Sequence, residues 1–319
     1  MIPKDLTNLR RLYLGFIDSR VLLTANNLGV FEKLKKASTA AEVSRKLKTD
    51  RRATEILLDA LTGIGLVKKS RDGKYLNAPV SNRYLVKDTH LYQGDIIRHA
   101  SSMWEGFSAL DKVVKTGHPV KRANGHEFFI MGMHNISRLR TKPLIEAIGL
   151  KNVKTMLDLA GGPGTNALAI AKKGVKVAIF DLPDTIKIAK KVARIEGVKG
   201  IDFISGDFHL DNIGSGYDLI LISQIFHAFS AEENISLLRK SKAALNPGGR
   251  VVVQEFPINE SRTAPPNSAL FSVNMLVATK NGRCYTPKEM KKWLADSGFK
   301  KINVKNLPET IIVEGTKKD

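Results

Sequence analysis

The spacing of apolar residues divides this 319-residue chain into a helical first half and an alternating second half. Residues 6–14 and 16–34 repeat apolar positions every three to four residues, which predicts two amphipathic helices. Thr39-Ala40-Ala41-Glu42 is a capping box that opens a short helix to Leu47, and Thr49-Asp50 caps the next one, through Leu61. Two short runs, 66–69 and 74–76, flank Asp72-Gly73, a hairpin turn signal. Three helices followed by a small hairpin read as a winged-helix module. From 91 to 150 the pattern stays helical, broken at Gly117-His118-Pro119 and resuming around Phe128, Phe129, Met131 and Met133.

After residue 155 short apolar runs alternate with helical stretches. Strands are predicted at 156–159, 175–180, 201–205, 219–223 and 249–254, and helices at 166–173, 183–196, 231–245 and 287–297. Two closing strands, 301–305 and 310–314, are joined by only four residues and so must pair antiparallel. The expected architecture is α/β: a doubly wound, Rossmann-like sheet with an antiparallel final strand, preceded by a mainly helical domain. The expected divisions are 1–95 for the winged-helix domain, 96–150 for linking and pocket helices, and 151–319 for the sheet domain.

Chemistry concentrates where the first predicted strand ends. Asp158-Leu159-Ala160-Gly161-Gly162-Pro163-Gly164 is a strand end running into a glycine-rich turn, and a helix follows. Glycines there let the backbone turn sharply and approach a ligand closely. The next strand ends in Asp181, placed to accept hydrogen bonds from ribose hydroxyls. A dinucleotide site wants a third glycine at the packing position, a mononucleotide phosphate loop wants Gly-Lys-Ser/Thr, and neither is here. Pro163 also removes a backbone donor that a pyrophosphate would use. The turn therefore suits a nucleoside with a charged, phosphate-free tail, for which S-adenosyl-L-methionine is the candidate. Asp158, Asp181, Asp207, residues 224–227 and Glu255 all fall at carboxyl ends of predicted strands, the rim where such sheets bind ligands.

Composition narrows the partners. At 43% hydrophobic the chain can build a sizeable core, and no apolar run is long enough to span a bilayer. The start, Met1-Ile2-Pro3-Lys4-Asp5, has no signal-peptide segment, and the single cysteine, Cys284, excludes an internal disulfide and a cysteine-based zinc site, so a cytoplasmic protein without a metal is expected. The formal charge of +20 is compatible with nucleic acid, but the lysines and arginines are spread over helical stretches as solvated faces would be. Winged-helix modules bind DNA or serve dimerisation. Dense apolar filling of the first two helices favours burial against a partner chain, hence a homodimer.

Several motifs, in order, carry a family resemblance: Asp158-x-Ala-Gly-Gly-x-Gly164, Phe180-Asp181-Leu182-Pro183, Gly206-Asp207-Phe208, His227, Leu245-Asn246-Pro247-Gly248-Gly249 and Asn274-Met275-Leu276-Val277. The chain resembles class I, S-adenosylmethionine-dependent O-methyltransferases of small molecules, the group that includes caffeate-type and acetylserotonin enzymes. The resemblance implies a homodimer and a cofactor site of Asp158, Gly161, Gly162, Gly164, Asp181, Leu182, Asp207, Phe208, Ser223 and Gln224. It implies Asp181 on the ribose, Asp207-Phe208 at the adenine, and His227 as the base that deprotonates a small hydroxylated acceptor. Asn274 matches a substrate-contacting position, and Phe129 and Met133 are either pocket wall or core. Glu255 is placed to orient the imidazole or to make a salt bridge elsewhere.

The chain departs from the family pattern twice. Ala228 stands where an aspartate usually follows the histidine, and Arg283-Cys284-Tyr285-Thr286 lacks the glutamate that commonly precedes Arg-Thr. Two alternatives remain. A nucleic-acid methyltransferase would usually show Asn/Asp-Pro-Pro-aromatic after the fourth strand, where this chain has Ser223-Gln224-Ile225-Phe226-His227. A winged-helix regulator that binds the cofactor without turnover fits the two lost acidic residues.

Overall fold

The computed structural model describes residues 4–120 and 125–318, so the sequence reading of Met1-Ile2-Pro3 lies outside the described residues. The chain forms two compact units, Met1–Trp104 and Glu105–Asp319.

In the first unit, α1 (Lys4–Leu28) is one continuous helix where the apolar pattern predicted two. Gly15 has open space around it and stays within the helix, at a propensity cost of about 1 kcal/mol. The break falls instead at Gly29, whose φ of 76° is the left-handed conformation, before α2 (Val30–Lys33). Next come α3 (Ala40–Leu47) and α4 (Arg51–Gly63). The expected capping box is made: the Glu42 N–H donates to Thr39 Oγ1 (3.3 Å) and the Thr39 N–H to Glu42 Oε2 (2.7 Å). Asp50 caps α4 by accepting from the Ala53 N–H at 2.7 Å. Strands β1 (Val67–Lys69) and β2 (Tyr75–Asn77) pair antiparallel, and α5 (Pro79–Tyr84) and the start of α6 (Gly94–Ser108) follow. Phe31, Leu34, Val43, Leu58, Leu61 and Tyr75 form the core of this unit.

The second unit begins with the end of α6, then α7 (Leu110–Thr116), stopped by Gly117 at φ 69°, and α8 (His126–Ile148). Then come β3 (Thr155–Leu159), α9 (Thr165–Ala171), β4 (Lys176–Asp181), α10 (Pro183–Ile195), β5 (Asp202–Ser205) and β6 (Tyr217–Ser223). A 3-10 turn at Phe226–Ala228 leads to α11 (Ala231–Ala244), β7 (Leu245–Glu255), α12 (Pro266–Ala278), α13 (Pro287–Asp296), β8 (Lys300–Asn306) and β9 (Ile311–Thr316). The sheet order is β5-β4-β3-β6-β7-β9-β8. Strands β3 to β7 run parallel, while β9 lies antiparallel to both β7 and β8, as the short connection required. Alternate residues face opposite sides, and both sides are apolar: Leu157, Phe180, Ile220 and Val251 pack on one, Met156, Ile179, Leu221 and Val252 on the other. That doubly covered sheet places the order reversal, between β3 and β6, at the rim where ligands bind such folds.

Helix α12 falls in a stretch the sequence left without an element. Its apolar residues do not segregate onto one face: Met275 and Val277 are buried while Leu270 and Leu276 are exposed, so no helical stripe marks it. Among the described residues no helix is long and apolar enough to cross a membrane.

Candidate active site

Two clusters share the rim. The first surrounds the glycine-rich turn. A Cβ on Gly161 would sit 2.8 Å from Cγ of Asp158, and Gly164 adopts φ 75° to open α9, so neither position accommodates a side chain without strain. The Gly162 N–H donates to Asp181 Oδ2 at 2.8 Å, and the Leu182 N–H donates to Asp181 Oδ1 at 2.7 Å. Both oxygens of the strand-end carboxylate are thereby anchored. Burial raises the Asp181 carboxyl, against the N–H groups of Gly162 and Leu182 and the Thr185 hydroxyl.

Asp158 lies beneath the turn, 1% exposed. Burial pushes its carboxyl up to about 7, opposed by the Ala167 N–H and reinforced by the Asp181 charge. Since that value exceeds the unfolded one of about 4, the group's contribution to stability is complete below about pH 4 and is lost as pH rises toward 7. Asp158→Asn, which retains an acceptor for Ala167, is expected to gain stability on the wild type progressively across that window, by on the order of 3 kcal/mol. Urea melts at several pH values check this, and a difference independent of pH would refute it. Buried His134, held down at about 4 by burial, titrates in the opposite sense but equally in both proteins.

Asp207 shapes the turn after β5: its N–H donates to Asp211 Oδ2 (2.8 Å) and its Oδ1 accepts from the His209 N–H (2.9 Å). Phe208 lies 4.4 Å from the His209 ring, tilted 45° to it, and meets Phe229 edge-on at 5.5 Å. At the end of β6, Ser223 Oγ donates to Gln254 Oε1 at 2.7 Å, and Gln254 Nε2 donates to Thr310 at 3.0 Å. Gln224 stands at φ 61°, and its buried Nε2 has no hydrogen-bond partner among the described residues. A buried, unpaired amide donor carries a desolvation cost of about 1–3 kcal/mol, which a bound ligand would remove.

The second cluster is built on His227, in the 3-10 turn after β6. Glu255, the last residue of β7, grips it twice: Oε2 lies 2.7 Å from Nδ1, and Oε1 accepts from the His227 backbone N–H at 3.3 Å. Both residues are buried, at 9% and 3% exposure, so the contact between them is shielded from solvent. Phe271 of α12 meets the imidazole edge-on at 4.9 Å and packs 4.7 Å from Phe256, the residue after Glu255. Asn274 lies one turn beyond Phe271 and is buried. Ser272 Oγ accepts from the Cys284 N–H at 3.1 Å, and burial pushes the Cys284 thiol up to about 11, so this side chain is a neutral filler. Phe129 and Met133 are half-buried one turn apart on α8, which is tied to the start of α9 by Thr141–Asn166 (2.8 Å) and His134–Thr165 (2.8 Å). The sequence missed Phe256 and Phe271. The only signal was adjacency, one beside Glu255 and the other a turn before Asn274.

Residues 117–300 match the model of an O-methyltransferase domain, and residues 11–87 that of an O-methyltransferase dimerisation domain. The chain belongs to the O-methyltransferase family. Membership gives the reaction class, methyl transfer to oxygen from S-adenosylmethionine. This O-methyltransferase is 30% identical over 312 residues to a 3-hydroxy-5-methyl-1-naphthoate 3-O-methyltransferase of Streptomyces sahachiroi, covering 93% of this chain and 90% of that protein. It is 29% identical to the acetylserotonin O-methyltransferase of Gallus gallus, covering 91% of each. Among solved structures, human N-acetylserotonin methyltransferase in complex with S-adenosylmethionine superposes with a TM-score of 0.91 at 25% identity, over 100% of this chain and 99% of that one. The rim of this methyltransferase fits the cofactor on its own features: the side-chain-free approach at Gly162, where a Cβ would meet nothing within 4 Å, the anchored Asp181 carboxylate, and the orphaned Gln224 donor.

Proposed function

We propose that this enzyme methylates a hydroxyl of a small aromatic or polyketide-like molecule, with His227 as general base. The observation that carries this reading is the double grip of Glu255 on His227. With Nδ1–H donated to the carboxylate, Nε2 is left with a free lone pair. A phenol of pKa about 10 is scarcely ionised at neutral pH, so Nε2 takes its proton as the oxygen attacks, an effect of typically about 10²–10⁴-fold. The buried Glu255 carboxylate then offsets the charge on the imidazolium. Phe256 and Phe271 shield that proton transfer from water and offer flat faces to an aromatic acceptor, with Asn274, Phe129 and Met133 as further wall.

When bound, S-adenosylmethionine supplies a methyl group already activated by its sulfonium. Asp181 would accept hydrogen bonds from the ribose hydroxyls, Asp207 and Phe208 would border the adenine, and Gly161, Gly162, Gly164, Asp158 and Leu182 would shape the floor. Ser223 and Gln224 supply polar contacts to the remainder. With Ala228 and Cys284 standing where the family usually carries acidic residues, Glu255 is the carboxylate that orients the imidazole among the described residues. Acceptors related to hydroxynaphthoate, acetylserotonin and tetracenomycin intermediates, named for the relatives, are the first to try. Labelled cofactor incubated with naphthols, hydroxynaphthoates and RNA is expected to yield methyl ethers. Label in the RNA alone, or in no acceptor, would defeat the reading.

The same reading extends to residues 1–95 as a winged-helix dimerisation domain, 96–150 as pocket helices and 151–319 as the cofactor domain, in a cytoplasmic homodimer. The free Cys284 thiol suits a reducing compartment. Along α1, Leu9, Leu12, Tyr13 and Phe16 are 56%, 76%, 55% and 54% exposed, an apolar face that a second chain would cover. Light scattering is expected to give twice the chain mass. The double variant Leu12→Glu/Phe16→Glu should shift it to the monomer, and an unchanged mass would argue against this face.

A further inference from the structure

The turn after β5, which carries Asp207 and Phe208, spends nearly all of its backbone donors on itself. The Gly206 N–H donates to the Asp181 carbonyl (3.0 Å), and that of Asp207 to Asp211 Oδ2 (2.8 Å). The His209 N–H donates to Asp207 Oδ1 (2.9 Å), and those of Leu210 and Asp211 to the Asp207 carbonyl (3.0 and 2.7 Å). Among the described residues, neither the Phe208 N–H nor Asp207 Oδ2 has a hydrogen-bond partner. Lys240 grips the same turn from α11. Its Nζ donates to the Phe208 carbonyl at 2.5 Å and to the Asp211 carbonyl at 2.9 Å. The peptide unit between Phe208 and His209 is therefore held at both ends, its C=O by the lysine and its N–H by Asp207. Rotating that plane would break two charge-assisted bonds at once.

We propose that Lys240 is a positioning residue that presents the Asp207-Phe208 turn to the adenine of the cofactor. The inference rests on the reading of that turn as the adenine border. An open acceptor on Asp207 and an open donor on Phe208 match the edge of adenine, whose 6-amino group donates and whose N1 accepts. Hypoxanthine reverses both roles. Lys240 makes its bonds to neither open group; it fixes the peptide plane beside them, so the pair keeps the spacing of the base edge. Asn234, earlier on α11, donates its Nδ2 to the Phe226 carbonyl at 2.9 Å. One helix thus seats both the Asp207-Phe208 turn and the 3-10 turn that carries His227.

The test is calorimetric binding of S-adenosylhomocysteine and of S-inosylhomocysteine, in which an oxygen replaces the 6-amino group and N1 carries a proton. The wild type is expected to prefer the adenine compound. Lys240→Met keeps an apolar stem and removes the donor. In it that preference should shrink at least about fivefold through weaker binding of the adenine compound, with affinity for the inosine compound unchanged. Lys240→Arg, which restores a charged donor, should recover it. Lys240 is half-buried on a helix and methionine is a good helix former, so the variant folds. Equal weakening of both ligands would mean a merely structural role and overturn the proposal. A preference that survives in Lys240→Met would also overturn it, and loss of that preference in Asp207→Ala would then show that the adenine reading stands without the lysine. A wild type that does not distinguish the two compounds would remove the adenine reading and the role of Lys240 together.

Discussion

Replacing His227 by alanine should lower turnover of a phenolic acceptor at least about 10²-fold while leaving cofactor affinity within about twofold. The imidazole is bonded to Glu255 and packed on Phe271, whereas the glycine turn and Asp181 form a separate set of contacts, so the two properties separate. Alanine also leaves Glu255 buried with only the backbone N–H at 3.3 Å, a loss of about 1–3 kcal/mol in stability. His227→Asn keeps a donor near Nδ1 and removes the base. It should show the same loss of turnover with a smaller drop in melting temperature. Rates measured at saturating cofactor, with calorimetry of S-adenosylhomocysteine beside them, check both variants. Turnover within threefold of wild type would take His227 out of the reaction.

Gly282→Ala is expected to be the next most damaging single change. A Cβ there would collide with the backbone carbonyl oxygen of His227 and stand 2.5 Å from Thr279 Oγ1 and 3.1 Å from the carbonyl carbon of Ala228. The obstacles are mostly backbone, so the 3-10 turn itself must move. Overpacking of this kind costs about 1–3 kcal/mol, and a displacement of about 1 Å in a catalytic group can cost about 10² in rate. The expected result is a lower melting temperature and a kcat reduced by about 10–100-fold, again with cofactor binding near normal. A variant as active and stable as the wild type would show that the loop can yield, and that His227 is not seated by it.

His227 was singled out in the sequence by its motif, whereas Gly282 was not. Nothing in Lys280-Asn281-Gly282 marks it as the backing of a turn fifty-odd residues earlier. Orphaned Gln224 was assigned to the cofactor on motif alone. That its amide nitrogen lacks a partner among the described residues is a fact about the packing around it.

Amino-acid order was sufficient for what depends on neighbours along the chain: the caps at Thr39 and Asp50, the alternation from β3 to β7, and the antiparallel closing strands. It also gathered Asp158, Asp181, Asp207, His227 and Glu255 on one rim. Parallel strands all point their carboxyl ends the same way, so a residue's place at a strand end already fixes its side of the sheet. Side-chain direction across elements was beyond its reach. The grip of Glu255 on His227 joins residues 28 apart, and that of Lys240 on Phe208 joins residues 32 apart. The continuity of α1 through Gly15, the helix at Pro266–Ala278 and the rings of Phe256 and Phe271 likewise belong to the folded molecule. Local periodicity records which face a residue turns to the core. Which partner it meets there is set by how the layers close on one another.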